Sequence, residues 1–231
     1  MAEFYRLLSY LPLVGGCERR CNRTMNEMML LDPSKTALIL IDMQRGFEDP
    51  IWGEPVDLPG CRAAVRTLLR DCERNEVPVI IVQHDSVHVD SPLHPANPGN
   101  QLFAEVAAVA PELMIRKRVN SAFLGEPDLA AWLRARGITT LIVAGIQTNM
   151  CVETTARMGN NLGFQIVLPL DATTTFPVAL PSDAEVHAIL GGGAQVLSGE
   201  ELMRATAANL SGGGFAEVTT VRSVSARLGA H

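Results

Sequence analysis

The chain has 231 residues, 47% apolar and 19% charged, with 19 Gly and 14 Pro. Those proportions exclude a disordered, collagen-like or low-complexity chain and permit one globular domain with a large buried core. Lys plus Arg number 19 against 25 Asp plus Glu, a formal charge of −6. That balance argues against nucleic acid or anionic lipid as a partner, and no apolar run approaches the ~18 residues of a membrane span.

The N-terminal stretch Leu7 to Val14 is apolar but is broken by Ser9, Tyr10 and Pro12 and preceded by Glu3 and Arg6. A signal peptide needs a positive start and an unbroken apolar middle. Residues 1–34 therefore read as a flexible extension, or as the product of an early start codon with Met25 or Met28 as the true start. The sequons at Asn22 and Asn209 would matter only in an exported protein. Five cysteines, Cys17, Cys21, Cys61, Cys72 and Cys151, are an odd number and fit the reduced thiols of a cytoplasmic enzyme. Cys17 and Cys21 have no second Cys/His pair at zinc spacing and read as ordinary thiols.

From residue 35 to 231 the pattern is that of a single domain. Thr36 to Ile41 is a short apolar run ending at Asp42, the mark of a strand buried on both faces. Leu58 to Asn75 reads as a helix capped by Asp57, with Val65, Leu68, Leu69 and Cys72 on one face. Pro78 to Gln83 is a second strand. Asp85 to Asn100 is a proline-rich loop long enough to suggest function. Leu113 to Ile115 is a brief strand leading into Arg116 and Lys117, and Pro127 to Arg136 a helix closed by Gly137. Thr139 to Ala144 is a strand, Asn149 to Asn161 a helix and Phe164 to Leu168 a strand. Asp183 to Leu190 and Gly199 to Asn209 read as helices, and Val218 to Val221 as a last strand. Gly191 to Gly193 and Gly212 to Gly214 follow no strand and are loop punctuation rather than phosphate cradles. This alternation predicts a three-layer, doubly wound α/β fold, with a mostly parallel sheet of about six strands and helices on both faces.

Ligands of such sheets bind along the edge formed by the strands' carboxyl ends. Asp42, Lys117 and Cys151 all follow strands. Singly, each has a plain reading: a turn cap, a member of the basic triplet Arg116 to Arg118, a small packed thiol. Together, an acid, an amine and a thiol on one edge make a nucleophilic site. An ordinary thiol of pKa ~8.5 is only a few per cent ionised at neutral pH. The ammonium and the helix N-terminus after the strand are expected to lower it by ~2 units, about 2.7 kcal/mol.

The contexts of these residues are distinctive: Leu40-Ile41-Asp42-Met43-Gln44, Lys117 before Ser121-Ala122-Phe123, and Gly145-x-x-Thr148-x-x-Cys151-Val152-x-x-Thr155-Ala156-Arg157. Over about Lys35 to Phe176 the chain resembles the isochorismatase-like cysteine hydrolases. The segments around Ser91-Pro92-Leu93 and Pro98-Gly99-Asn100 look like a subset that includes streptothricin hydrolase. The resemblance implies an Asp42–Lys117–Cys151 triad and a cis peptide near Ile146–Gln147. It also implies an oxyanion hole formed by the N–H groups of Gln147 and Cys151. The implied activity is hydrolysis of an amide or lactam C–N bond of a small molecule through a thioester, without cofactor, by a homodimer or homotetramer. The alternatives are hydrolysis of an enol ether, which needs no thiol, and a non-catalytic scaffold.

Family members that hold a metal carry Asp-x-His after the second strand, but here the segment is Gln83-His84-Asp85-Ser86-Val87-His88. No metal site is expected; the alternative set would be His84, Asp85, His88 and His94. Phe47, Trp52, Asn120 and Phe123 are expected to line the substrate pocket. Thr148, Asn149 and Arg157 are expected to brace the turn and helix around Cys151.

Overall fold

The computed structural model describes residues 30–190 and 195–229. Residues 1–29 of the expected extension, with Cys17, Cys21 and Asn22, and the glycine triplet at 191–193 lie outside the described residues. The main strands are β1 (Thr36–Ile41), β2 (Val79–His84), β3 (Leu113–Lys117), β4 (Thr140–Ile146) and β5 (Gln165–Pro169). They are joined by helices α1 (Leu58–Arg74), α2 (Ala104–Ala107), α3 (Leu129–Ala135) and α4 (Glu153–Asn161). Beyond them come β6 (Thr173–Thr174), β7 (Val178–Ala179), α5 (Ala184–Ile189), β8 (Val196–Leu197), α6 (Gly199–Gly212), β9 (Glu217–Thr219) and α7 (Val221–Leu228). The sheet order is β3-β2-β1-β4-β5-β9, with β6 added beside β4 and every pairing parallel. A separate antiparallel pair, β7 with β8, stands off it.

The three layers follow from the two-residue period of a strand. Leu38, Leu40, Val79, Ile81, Ile142 and Ala144 face one way, onto Val65 and Leu68 of α1 and Val224 and Leu228 of α7. Their neighbours Ile39, Ile41, Ile80, Val82, Leu141 and Val143 face the other way, onto Leu129 and Leu133 of α3, Ala156 of α4 and Leu210 of α6. Both β1 and β4 are buried along their full length, as continuous apolar strands in a covered parallel sheet must be. Helix α1 begins where expected: the Asp57 carboxylate accepts from the Gly60 N–H at 2.9 Å, satisfying a donor of the first turn.

The expected elements are corrected at several ends. Helix α3 starts at Leu129, capped by Asp128, because Pro127 lies before the cap on a cis Glu126–Pro127 bond. The strand expected to stop at Ile115 continues through Lys117. The helix expected from Asn149 begins as a π-helical turn, Thr148–Val152, and becomes α-helical at Glu153. The last strand ends at Thr219, and Val221 opens a helix whose first turn is capped by the Thr220 hydroxyl.

Strand order reverses between β1 and β4, so the ligand crevice of a doubly wound sheet falls at the carboxyl ends of that pair. Gly145 lets the two ends close together. Its φ is +125°, and a Cβ there would lie 2.0 Å from the Ile41 carbonyl oxygen.

Cys61 and Cys72 are buried on α1. Burial pushes both thiols from 9.0 up to about 12. The unfolded chain's thiols ionise first, so their contribution is intact below the ordinary thiol range and is lost as pH rises from there toward 12. At about 1.4 kcal/mol per thiol per pH unit, urea unfolding is expected to show a loss of roughly 3 kcal/mol between pH 8 and pH 10 from these two groups. The Cys61→Ala/Cys72→Ala double variant should show a correspondingly shallower decline.

Candidate active site

Asp42 is the first residue beyond β1. Its φ of +51°, a conformation that Asp tolerates better than most residues, turns the chain off the sheet edge, while its N–H still donates to the Val82 carbonyl at 2.9 Å. Two residues on, the buried Gln44 side chain donates to the His84 and Asn100 carbonyls and accepts from the His84 N–H. These bonds tie the turn after β1 to the end of β2. Lys117 ends β3 and His84 ends β2, opposite one another in register. The Ile146–Gln147 peptide at the end of β4 is cis, and the turn after it carries Cys151. Thr148 braces that turn by donating to the Thr173 hydroxyl at 2.9 Å, and the Thr175 hydroxyl donates to the Asn149 side chain.

The ends of four neighbouring strands thus bring four side chains together. Lys117 Nζ lies 2.6 Å from Asp42 Oδ2, 3.3 Å from Cys151 Sγ and 3.3 Å from His84 Nδ1. An ammonium has three protons and no lone pair, so each of these atoms acts as an acceptor. At 3.3 Å from this donor, His84 Nδ1 is placed to accept, an arrangement that the neutral ring with its proton on Nε2 satisfies. The Lys117 and Asp42 side chains are 0% and 1% exposed. Asp42 Oδ1 is, among the described residues, the one buried side-chain polar atom left without a partner.

Burial raises the Asp42 carboxyl above the usual carboxylate range, against the pull of Lys117. Burial and then the Lys117 charge lower His84. The Cys151 thiol is pushed up to about 12, first by burial and then by the neighbouring Asp42 charge, with Lys117 opposing. The expected lowering of this thiol is thereby overturned. Sequence context shows the nearby amine but not the depth of burial or the carboxylate beside the sulfur. The resting sulfur keeps its proton, and an acceptor stands next to it.

The isochorismatase domain family matches residues 36–201. The chain belongs to the isochorismatase family. It is 37% identical over 142 residues to the isochorismatase family protein YrdC of Bacillus subtilis, covering 62% of this chain and 75% of that protein. It is 32% identical over 151 residues to streptothricin hydrolase of Streptomyces noursei, covering 64% of this chain and 52% of the relative. An isochorismatase-family structure from Chromobacterium violaceum superposes with a TM-score of 0.77 at 34% identity, covering 90% of this chain and all of the other. These likenesses identify an isochorismatase-like hydrolase.

In this family member Asp42, His84 and Cys151 face a cavity of about 460 Å³, which Lys117 does not line. Phe47, Trp52 and Asn120 line it, as do Asp42, Gln147 and Cys151. Phe123 does not: its ring stacks on Phe164, centroids 5.8 Å apart, in the core beneath α4. The Ser-Ala-Phe segment places it on the wrong side of the turn to reach the cavity. His84, Phe176 and the segment Pro177–Ala179 also line the space. His84 had a signal in the sequence, a titratable residue ending the second strand. The 176–179 segment had none, because the excursion after β6 has no periodicity. A larger groove, about 1050 Å³, runs along α1 and contains none of these groups.

The alternative metal set does not come together. Asp85 is held by Arg116 through bonds of 2.7 and 2.6 Å, while His94 Nδ1 accepts a backbone N–H of its own loop. The one close group of metal-ligating side chains among the described residues is Asp42, His84 and Cys151, within 4.8 Å of each other. The Lys117 ammonium already bonds to all three, so these donors fit a fixed cation better than a second one. Arg157 pairs with Glu153 at 2.7 Å, and Glu153 accepts from Thr206, fixing α4 to α6.

Proposed function

We propose that this protein hydrolyses an amide or lactam C–N bond of a small molecule, with Cys151 as nucleophile, Asp42 as general base and acid, and Lys117 as the fixed charge between them. The observation that carries the reading is the Lys117 ammonium at 2.6 Å from a buried carboxylate and 3.3 Å from the sulfur. Relatives named maleamate amidohydrolase from Pseudomonas putida and nicotinamidase 3 from Arabidopsis thaliana, 31% and 30% identical over the aligned parts, are consistent with amide chemistry.

As sulfur attacks the carbonyl carbon, the thiol proton passes to Asp42, whose Oδ1 has no other partner among the described residues. The N–H groups of Gln147 and Cys151, on the turn that carries the sulfur, are assigned to the developing oxyanion. Asp42 then gives its proton to the departing nitrogen as the C–N bond breaks, leaving a thioester. Water attacks that thioester and gives a proton to Asp42. The C–S bond breaks, and the proton returns to sulfur. A base whose affinity for protons is raised by burial suits both halves of this cycle. Lys117 opposes the effect of burial on the carboxyl and favours the thiolate as it forms.

Iodoacetamide tests the reading with the full chain. Cys151 lines the cavity, whereas Cys61 and Cys72 are packed in the core. Peptide mass spectrometry should find Cys151 alkylated before Cys61 and Cys72, with amide turnover lost in proportion to the Cys151 label. Full activity after complete labelling of Cys151 would reject the thioester route and favour the enol-ether alternative.

A further inference from the structure

Part of the cavity lining is aromatic. Phe47, Trp52 and Phe176 pack together, with ring centroids 5.3 Å (Phe47–Trp52), 5.8 Å (Phe47–Phe176) and 6.1 Å (Trp52–Phe176) apart. The indole N–H of Trp52 donates to the Gly46 carbonyl at 2.8 Å, so this ring offers a ligand its π-face and edges but no free donor. At the mouth, Ile51 is 70% and Met150 37% exposed. Large apolar side chains left in water beside a cavity mark a binding surface when they are continuous with an apolar interior.

The charge inventory points the same way. Among the described residues no Lys or Arg lines the cavity. Lys117, behind it, has its Nζ within 3.3 Å of acceptor atoms on Asp42, His84 and Cys151. His84 is held neutral by burial and by that ammonium. A substrate carboxylate would enter without a counter-ion and face Asp42, and a substrate cation would find that carboxylate already paired. A charge moved from water into such a site without a partner is strongly disfavoured. The uncharged polar groups, Asn120 and Gln147, lie near the sulfur, where the scissile amide must sit; Asn120 Oδ1 is 3.9 Å from Sγ.

We infer that the substrate is an uncharged amide or lactam carrying an aryl or bulky alkyl group beside the scissile C–N bond, packed against Trp52, Phe47 and Phe176. The inference rests on the hydrolytic reading for the position of the amide, but ligand binding tests it separately from turnover. Calorimetric titration of the full-length Cys151→Ala variant should compare 3-phenylpropanamide with succinamate, a primary amide of similar reach that ends in a carboxylate. The phenyl compound is expected to bind at least about tenfold more tightly, the scale on which apolar pockets discriminate. Adding Trp52→Ala should remove most of that preference.

Equal or tighter binding of succinamate, or binding of neither, overturns the inference. So does an unchanged preference in a folded Trp52→Ala variant. The wild-type chain, assayed for ammonia release, then separates the two readings. A phenyl amide that binds preferentially but is never cleaved supports the cavity assignment and refutes the hydrolytic one. Cleavage of succinamate as fast as the phenyl amide does the reverse.

Discussion

Replacing Cys151 by alanine is expected to lower kcat for amide hydrolysis by about 10,000-fold or more, the scale seen when a covalent nucleophile is removed. Among the described residues the cavity offers no replacement: its other polar lining groups are Asp42, His84, Asn120 and Gln147, none of them a hydroxyl or thiol. Asp42→Asn should cost a similar factor, because the thiol, whose ionisation burial opposes most strongly, then has no base to receive its proton. Since the two act in one step, the double variant should be no slower than the worse single variant. Steady-state rates at a substrate concentration well above KM decide the matter. Activity above a few per cent in either single variant would remove Cys151 or Asp42 from its assigned role.

The second large effect concerns stability. Lys117→Met keeps the length of the side chain but leaves the Asp42 carboxylate fully buried without its 2.6 Å partner. Breaking a buried pair from one side costs about 3–5 kcal/mol, or on the order of 10 °C in Tm for a chain of this size. The pH dependence identifies the cause. Without the ammonium, the largest influence opposing burial at Asp42 is gone and its affinity for protons rises further. The folded variant then holds a proton that the unfolded chain has lost above about pH 4. Its deficit relative to the wild type should therefore be small in acid and grow as pH rises through the interval between the wild-type and the higher variant carboxyl values in the folded state. The Asp42→Asn/Lys117→Met double variant, with neither charge of this buried pair left, should recover most of the loss. A deficit that is constant with pH and persists in the double variant would show packing rather than charge to be responsible.

The parts of this fold that were legible in the sequence are those set by burial. Thr36 to Ile41 and Thr140 to Ile146 are continuous apolar runs because both faces of the sheet are covered, and such runs cannot be mistaken for amphipathic helices of ordinary length. The boundaries misjudged were governed by caps and turns. Thr220 belongs equally well to a strand by composition and to a helix N-terminus by hydrogen bonding. The spacing Val221, Val224, Leu228 decides for the helix, because it puts all three on one face against the core. Asp42, Lys117 and Cys151 were identified through motifs, and the structure brings them into contact. The state of the thiol was not legible, since it depends on desolvation and on a carboxylate that is remote in sequence. Phe123 was misplaced because an aromatic near a reactive strand end can serve either the cavity or the core, and only the direction of the turn distinguishes them.

One feature of the crevice bears on how such a protein can change. The reacting groups ride on strand ends whose positions are locked by the register of the sheet, whereas Phe47, Trp52 and Phe176 come from short turns outside it. Chemistry and selectivity are therefore written in separable stretches of the polypeptide. Residues 45–52 and 176–179 can be exchanged, by drift or by an engineer's library, to admit a new leaving group while the bond-breaking apparatus is inherited intact.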